Sequence, residues 1–126
     1  MATTKAHYVD GFVLAVPKKK IAAYQKLAKE GEKMWRTFGA LDYKECRLED
    51  GKSSGGALTY KKLLKLKPTE TAYFSFVTFK SRAHRDQVNK KVMAYFKEKY
   101  AGEEAHASMP FQMNRMAYGG FTVDVG

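Results

Sequence analysis

The chain has 126 residues, 44% hydrophobic and 13% aromatic, which is one domain's length and enough apolar material for one core. Its apolar runs, such as FVLAV at 12–16, fall far short of the ~20 residues a membrane-spanning helix needs, and MATTKAHYVD at the start has no apolar stretch with a small-residue cleavage site, so no membrane partner and no secretory signal are expected. A formal charge of +10 raises the question of a polyanionic partner, because clustered Lys and Arg release counterions from phosphate backbones.

The cations are spread rather than clustered. Lys18, Lys19, Lys20, Lys26, Lys29 and Lys33 fall on the polar face of one expected helix, Lys61, Lys62, Lys65 and Lys67 alternate with leucines, and Lys90, Lys91, Lys97 and Lys99 belong to a second helix. Arginine, the better phosphate clamp, numbers only five. This is the pattern of a solvated surface, and nucleic acid or another acidic partner is kept as the alternative to a small-molecule ligand. The lone Cys46 cannot form an internal disulfide, in keeping with a reducing, cytoplasmic location, and reads as a small buried apolar residue on a strand rather than a reactive thiol.

In chain order, YVDGFVLAVP (8–17) is rich in β-branched and aromatic residues and stops at a proline, which predicts a strand. From Lys18 to Phe38, apolar residues recur at Ile21, Tyr24, Leu27, Ala28, Met34, Trp35 and Phe38, the spacing of one helical face, and Gly39 suits the C-cap. Residues 40–50 alternate as a second strand ending in the turn DGKSSGG, 50–56. Residues 57–71 fit a short helix or an irregular edge equally well. AYFSFVTF (72–79) is a third strand, Ser81 is a good N-cap for a helix over 82–100 with Val88, Val92, Tyr95 and Phe96 inward, 101–108 is loop, and 109–121 is the last strand.

The order β-α-β-β-α-β predicts a single α+β domain over 1–126, a ferredoxin-like sandwich with two helices on one face of an antiparallel four-stranded sheet. One face of the first strand carries the small residues Val9, Gly11, Val13 and Ala15, which suit packing beneath helices. The other carries Tyr8, Asp10, Phe12, Leu14 and Val16, which would then be uncovered and would call for a second copy of the chain, giving a homodimer with an enclosed space between two sheets.

Four blocks, YVDGFVLAVP (8–17), GALDYKE (39–45), FSFVTFKSRAHRD (74–86) and MPFQMNRMAYGGF (109–121), resemble the YbaA-like proteins, a bacterial family of unknown function. That family is in turn similar to the dimeric α+β barrels, among them cofactor-free monooxygenases, muconolactone isomerases, polyketide cyclases and some haem enzymes. The resemblance implies a fold and a dimer more than an activity. The position before MNR, commonly an acid in the family, is Gln112 here, and Tyr95, Phe96 and Lys97 stand where an acid-proline-arginine stretch is expected.

The candidate ligand-binding residues are Asp10, Phe12, Tyr73, Ser75, Arg115 and Tyr118. An acid among apolar neighbours needs a cation, and Arg115 on the adjoining last strand is the expected partner of Asp10; together they orient a small carbonyl or aromatic compound, or form a structural ion pair. Gly119-Gly120 reads as a bulge that re-aims Tyr118. Tyr43, Glu45, Arg47 and Glu49 share one side of the second strand and read as a solvated edge. His84, Arg85 and Asp86 point about 100° apart on a helix and read as helix-start residues. No metal and no cofactor are expected, because His7, His84 and His106 lack ligand spacing and no phosphate-cradling glycine motif precedes a helix.

Overall fold

The computed structural model describes residues 4–101 and 109–126; the loop expected at 101–108, with His106, lies almost wholly outside them. Strand β1 (Tyr8–Pro17) leads through a one-turn 3-10 helix (Lys18–Lys20) into helix α1 (Ile21–Thr37) and strand β2 (Asp42–Arg47). A short helix α2 (Tyr60–Leu64) precedes strand β3 (Glu70–Phe79), helix α3 (Arg82–Lys99), a second 3-10 turn (Met113–Arg115) and strand β4 (Met116–Thr122). The sheet is antiparallel throughout, in the order β2-β3-β1-β4, and no described helix is long and apolar enough to cross a membrane.

The pleat of β1 decides which residues meet the helices, and it does so the opposite way round from the sequence expectation. Leu14 and Val16, 2% and 0% exposed, cluster with Tyr24 of α1 and Tyr73 of β3. Across the same side, Val77 and Phe79 of β3 pack with Tyr43 of β2 and with Val88 and Val92 of α3, while Phe12 touches both clusters. Bulky side chains fill the gap of about 10 Å between two packed layers; small ones would leave it void. The small residues therefore turn away from the helices. The ring of Phe121 lies across Gly11, where an added Cβ would stand 3.1 Å from its Cε1, and Phe74 and Phe121 remain 44% and 60% exposed on that open side.

Helix α3 starts where its sequence says it should, since the Ser81 hydroxyl accepts a hydrogen bond from the His84 amide at 3.1 Å. The ambiguous segment resolves into α2, capped by Thr59, whose hydroxyl accepts from the Lys62 amide, and closed by Lys65 in the left-handed region at φ 51°.

Two expectations for the last strand do not hold. The Gly119-Gly120 pair is not a bulge: the register with β1 runs unbroken from Tyr8 opposite Thr122 to Leu14 opposite Met116. Glycine is required at 120 because the Tyr8 phenol lies against it, and a Cβ there would collide with that ring and its hydroxyl. Arg115 does not reach Asp10 either. β4 begins only at Met116, so Arg115 sits in the preceding turn, beyond the end of the β1 ladder, and Asp10 lies opposite Gly120. Its guanidinium grips both oxygens of Glu70 at 3.0 Å and the Leu64 carbonyl at 2.9 Å, fastening α2 and the start of β3 to the approach to β4.

A fork-shaped pair with low exposure on both sides is worth more than a surface ion pair. Arg115→Met should cost about 2 kcal/mol in chemical denaturation. Combined with Glu70→Gln the losses should be strongly non-additive, whereas combined with Asp10→Leu they should simply add.

Candidate functional site

The sheet side that faces α1 and α3 carries two polar clusters, each built around a carboxylate. The first is Glu45 on β2. Its Oε2 accepts from the Tyr24 hydroxyl and its Oε1 from the Tyr43 hydroxyl, both at 2.7 Å, and Ser75 opposite on β3 contributes a third hydroxyl. Burial pushes the Glu45 carboxyl above its ordinary range, and the three hydroxyls offset this only in part. Burial, followed by the charge of Glu45, pushes both phenols up as well, so Tyr24 and Tyr43 are fixed as donors.

Glu45 and Ser75 are the polar members of a cavity of about 260 Å³ between helices and sheet. Its walls are Phe12 and Leu14 of β1, Tyr24, Leu27 and Trp35 of α1, Phe96 of α3, Phe111, and the methionines 93, 109, 113 and 116. Thioether side chains adapt to the shape of an occupant, and the aromatics offer flat apolar surface. A buried acid with a raised pKa at the edge of such a cavity can accept or return a proton, or hold a polar atom of an otherwise apolar ligand.

The second cluster surrounds Asp10, 1% exposed. The Asn89 amide donates to its Oδ2 at 3.0 Å and in turn accepts from the Trp35 indole at 2.9 Å, which leaves Trp35 half-buried rather than sealed. Arg85 places Nη1 3.7 Å from Asp10 Oδ1 and donates to the hydroxyls of Tyr118 and Tyr8 at 2.8 and 3.0 Å. The charge of Asp10 and the two phenols hold the guanidinium firmly protonated against the cost of burial. This cluster is a network of charge and hydrogen bonds in which Asp10 Oδ1 is left without a hydrogen-bond partner among the described residues.

The structure thus divides the six sequence candidates. Phe12 and Ser75 line the cavity beside Glu45, Tyr73 lies next to it, Asp10 and Tyr118 belong to the arginine network, and Arg115 is the clamp at the sheet's end. Five of them lie on the side that meets the chain's own helices rather than a space facing another copy. Sequence reasoning passed over Asn89, took Tyr24 only as an apolar helix-face residue, and read Glu45 as a solvated edge and Arg85 as a helix-start residue. The signal for Arg85 and Asn89 was their spacing from Val88 and Val92, which puts both on the inward stripe of α3; for Glu45 it was its place two residues after the buried Tyr43. A depression of about 1230 Å³ between α1 and α3 has two acids in its lining, Glu30, already held by Tyr100 and Lys99, and Glu98. No group of three potential metal ligands occurs among the described residues.

Fold and site define a small α+β protein with an acid-edged apolar cavity between a four-stranded antiparallel sheet and its helices. By sequence the chain belongs to the family described as "Protein of unknown function (DUF1428)", which matches residues 7–113. It is 39% identical over 114 residues to "Uncharacterized protein YbaA" of Escherichia coli strain K12, covering 90% of this chain and 93% of that one, and the match to YbaA of Shigella flexneri has the same extent.

The two well-placed glutamates give opposite pH signatures. Folded Glu45 holds its proton more tightly than the unfolded chain does, so the stability it supports below the ordinary value of 4.5 is lost as pH rises through its raised value. Glu70, held below 4.5 by the Arg115 hydrogen bonds, supports stability at neutral pH that is lost as pH falls through its lowered value. In melting curves, Glu45→Gln should therefore gain on the wild type as pH rises above 4.5, and the deficit of Glu70→Gln should shrink as pH falls below 4.5. Parallel curves for either variant would contradict the assignment.

Proposed function

We propose that this chain binds, or chemically transforms, a small carbonyl or aromatic compound in the cavity between helices and sheet. The observation that carries the reading is the Glu45 carboxyl, held by Tyr24, Tyr43 and Ser75 at the edge of an otherwise apolar space of about 260 Å³. Ligand sites of this kind pair a shaped apolar volume with few convergent polar groups. The aromatic and methionine walls select flat, apolar compounds, and Glu45 with Ser75 selects those with one oxygen function.

The cavity has a built-in reporter, the sole tryptophan, Trp35, in its wall. An aromatic ketone such as 2-tetralone should perturb Trp35 fluorescence saturably. Met116→Phe, which pushes a ring into the cavity, should weaken that binding about tenfold, the equivalent of ~1.4 kcal/mol. Unchanged binding in Met116→Phe would move the site elsewhere.

We further infer that the architecture is the ferredoxin-like sandwich of the dimeric α+β barrels and that two copies pair through the open side of the sheet. The support is the apolar surface formed there by Val9, Val13, Phe74, Phe76 and Phe121, the reverse side of β1 from the one first expected to be uncovered. A contiguous apolar sheet face is costly to leave in water, and a two-fold axis lets it cover itself. Light scattering should then give about twice the 14.3 kDa chain mass, and Phe121→Asp should shift the protein toward monomer. A wild-type monomer at all concentrations would refute the pairing.

A further inference from the structure

Glu45 borders two spaces, the apolar cavity and a groove of about 480 Å³ lined by residues of α1, β2 and β3. Tyr24, Ala28, Tyr43 and Glu45 line both. The groove is polar where the cavity is not, with Lys29 and Glu32 from α1, Lys44 and Arg47 from β2, and Tyr73 from β3 as its titratable members beside the three shared ones. Two phenols and the Ser75 hydroxyl take up three of the four lone pairs of the Glu45 carboxylate, which leaves one to spare. The Tyr73 hydroxyl, in a residue only 3% exposed, is buried with no hydrogen-bond partner among the described residues.

We infer that Glu45 is a proton-transfer group that serves two spaces: it meets the bound compound in the apolar cavity and trades its proton with solvent through the groove. The inference rests on the cavity reading above and adds the chemistry. The compound class is a carbonyl compound with an acidified C–H bond beside the carbonyl. That bond breaks, its electron pair stays on the compound as an enolate, and the proton adds to the ionised Glu45 to give the acid. The acid then returns a proton to carbon. Because its proton has exchanged with the groove in the meantime, the returned proton comes from solvent, and no oxidant or reductant is consumed. The groove keeps the acid from being stranded in one protonation state while the compound occupies the cavity.

The experiment follows 2-tetralone, whose C1–H bonds are acidified by ring and carbonyl, in D2O with the full chain. Proton NMR should show the wild type exchanging C1–H for deuterium at least about tenfold faster than Glu45→Gln, with Glu45→Asp retaining part of the rate. Glutamate-labelled carbon NMR of Met116→Phe, with its cavity filled, should show the Glu45 carboxyl still titrating and in exchange with solvent, a result that a purely structural acid reached through the cavity would not give. Binding of 2-tetralone without Glu45-dependent exchange would overturn the proton transfer and leave the cavity reading standing. A Glu45 that stops titrating when the cavity is filled would overturn the groove route. Failure of 2-tetralone to perturb Trp35 at all would overturn the cavity reading for this compound class and the inference with it.

Discussion

The rest of the structure depends on the pleat of β1. As an inner strand it is hydrogen-bonded on both sides, to β3 and to β4, so its register is fixed twice over. Its even-numbered residues supply the interior with a phenol at 8, a carboxylate at 10, a ring at 12 and aliphatic groups at 14 and 16. A slip of one residue would send all five to the open side of the sheet. Through this register Phe12 is set opposite Ser75 on one neighbour and Tyr118 on the other, which joins the cavity and the arginine network to a single strand.

The interior holds two carboxylates and treats them differently. Asp10 receives an amide and lies close to a guanidinium, so its charge is answered by a charge. Glu45 receives only neutral hydroxyls, which satisfy its oxygens without cancelling its charge. Removing either member of a buried charge pair strands the other. Glu45 has only hydroxyls to offset its burial, which raises its carboxyl above the ordinary range. The arginine network holds α3 against β1 and β4, and Glu45 stands at the edge of the cavity.

Much of the fold was legible because its signals are local. The 3.6-residue period of α1, the Ser81 cap, the apolar third strand and the short helical alternative for 57–71 all rest on residues near one another in sequence. The faces of β1 were misread because both are apolar, so alternation alone could not rank them; the volume the helices demand settles the matter, and that is a property of three elements at once. The partner of Arg115 was misread for a similar reason. Starting β4 at Met116 rather than at 109 moves the guanidinium off the ladder and toward Glu70, and nothing within residues 109–121 marks that boundary. Glu45 escaped notice because an acid between Lys44 and the exposed Cys46 and Arg47 looks like an edge residue until Tyr24 is folded over it.

Gly120 bears a consequence for how this sequence can drift. Most surface strand positions accept many substitutions, and a glycine in a strand is usually open to improvement, since nearly any side chain lowers the entropy lost on folding. Position 120 is an exception enforced from 112 residues away. Any side chain there displaces the Tyr8 phenol, and with it the acceptor for Arg85 Nη2 and the ring over which that guanidinium stacks at 5.0 Å. A side chain at 120 is therefore accommodated only if the Tyr8 ring moves away from Arg85.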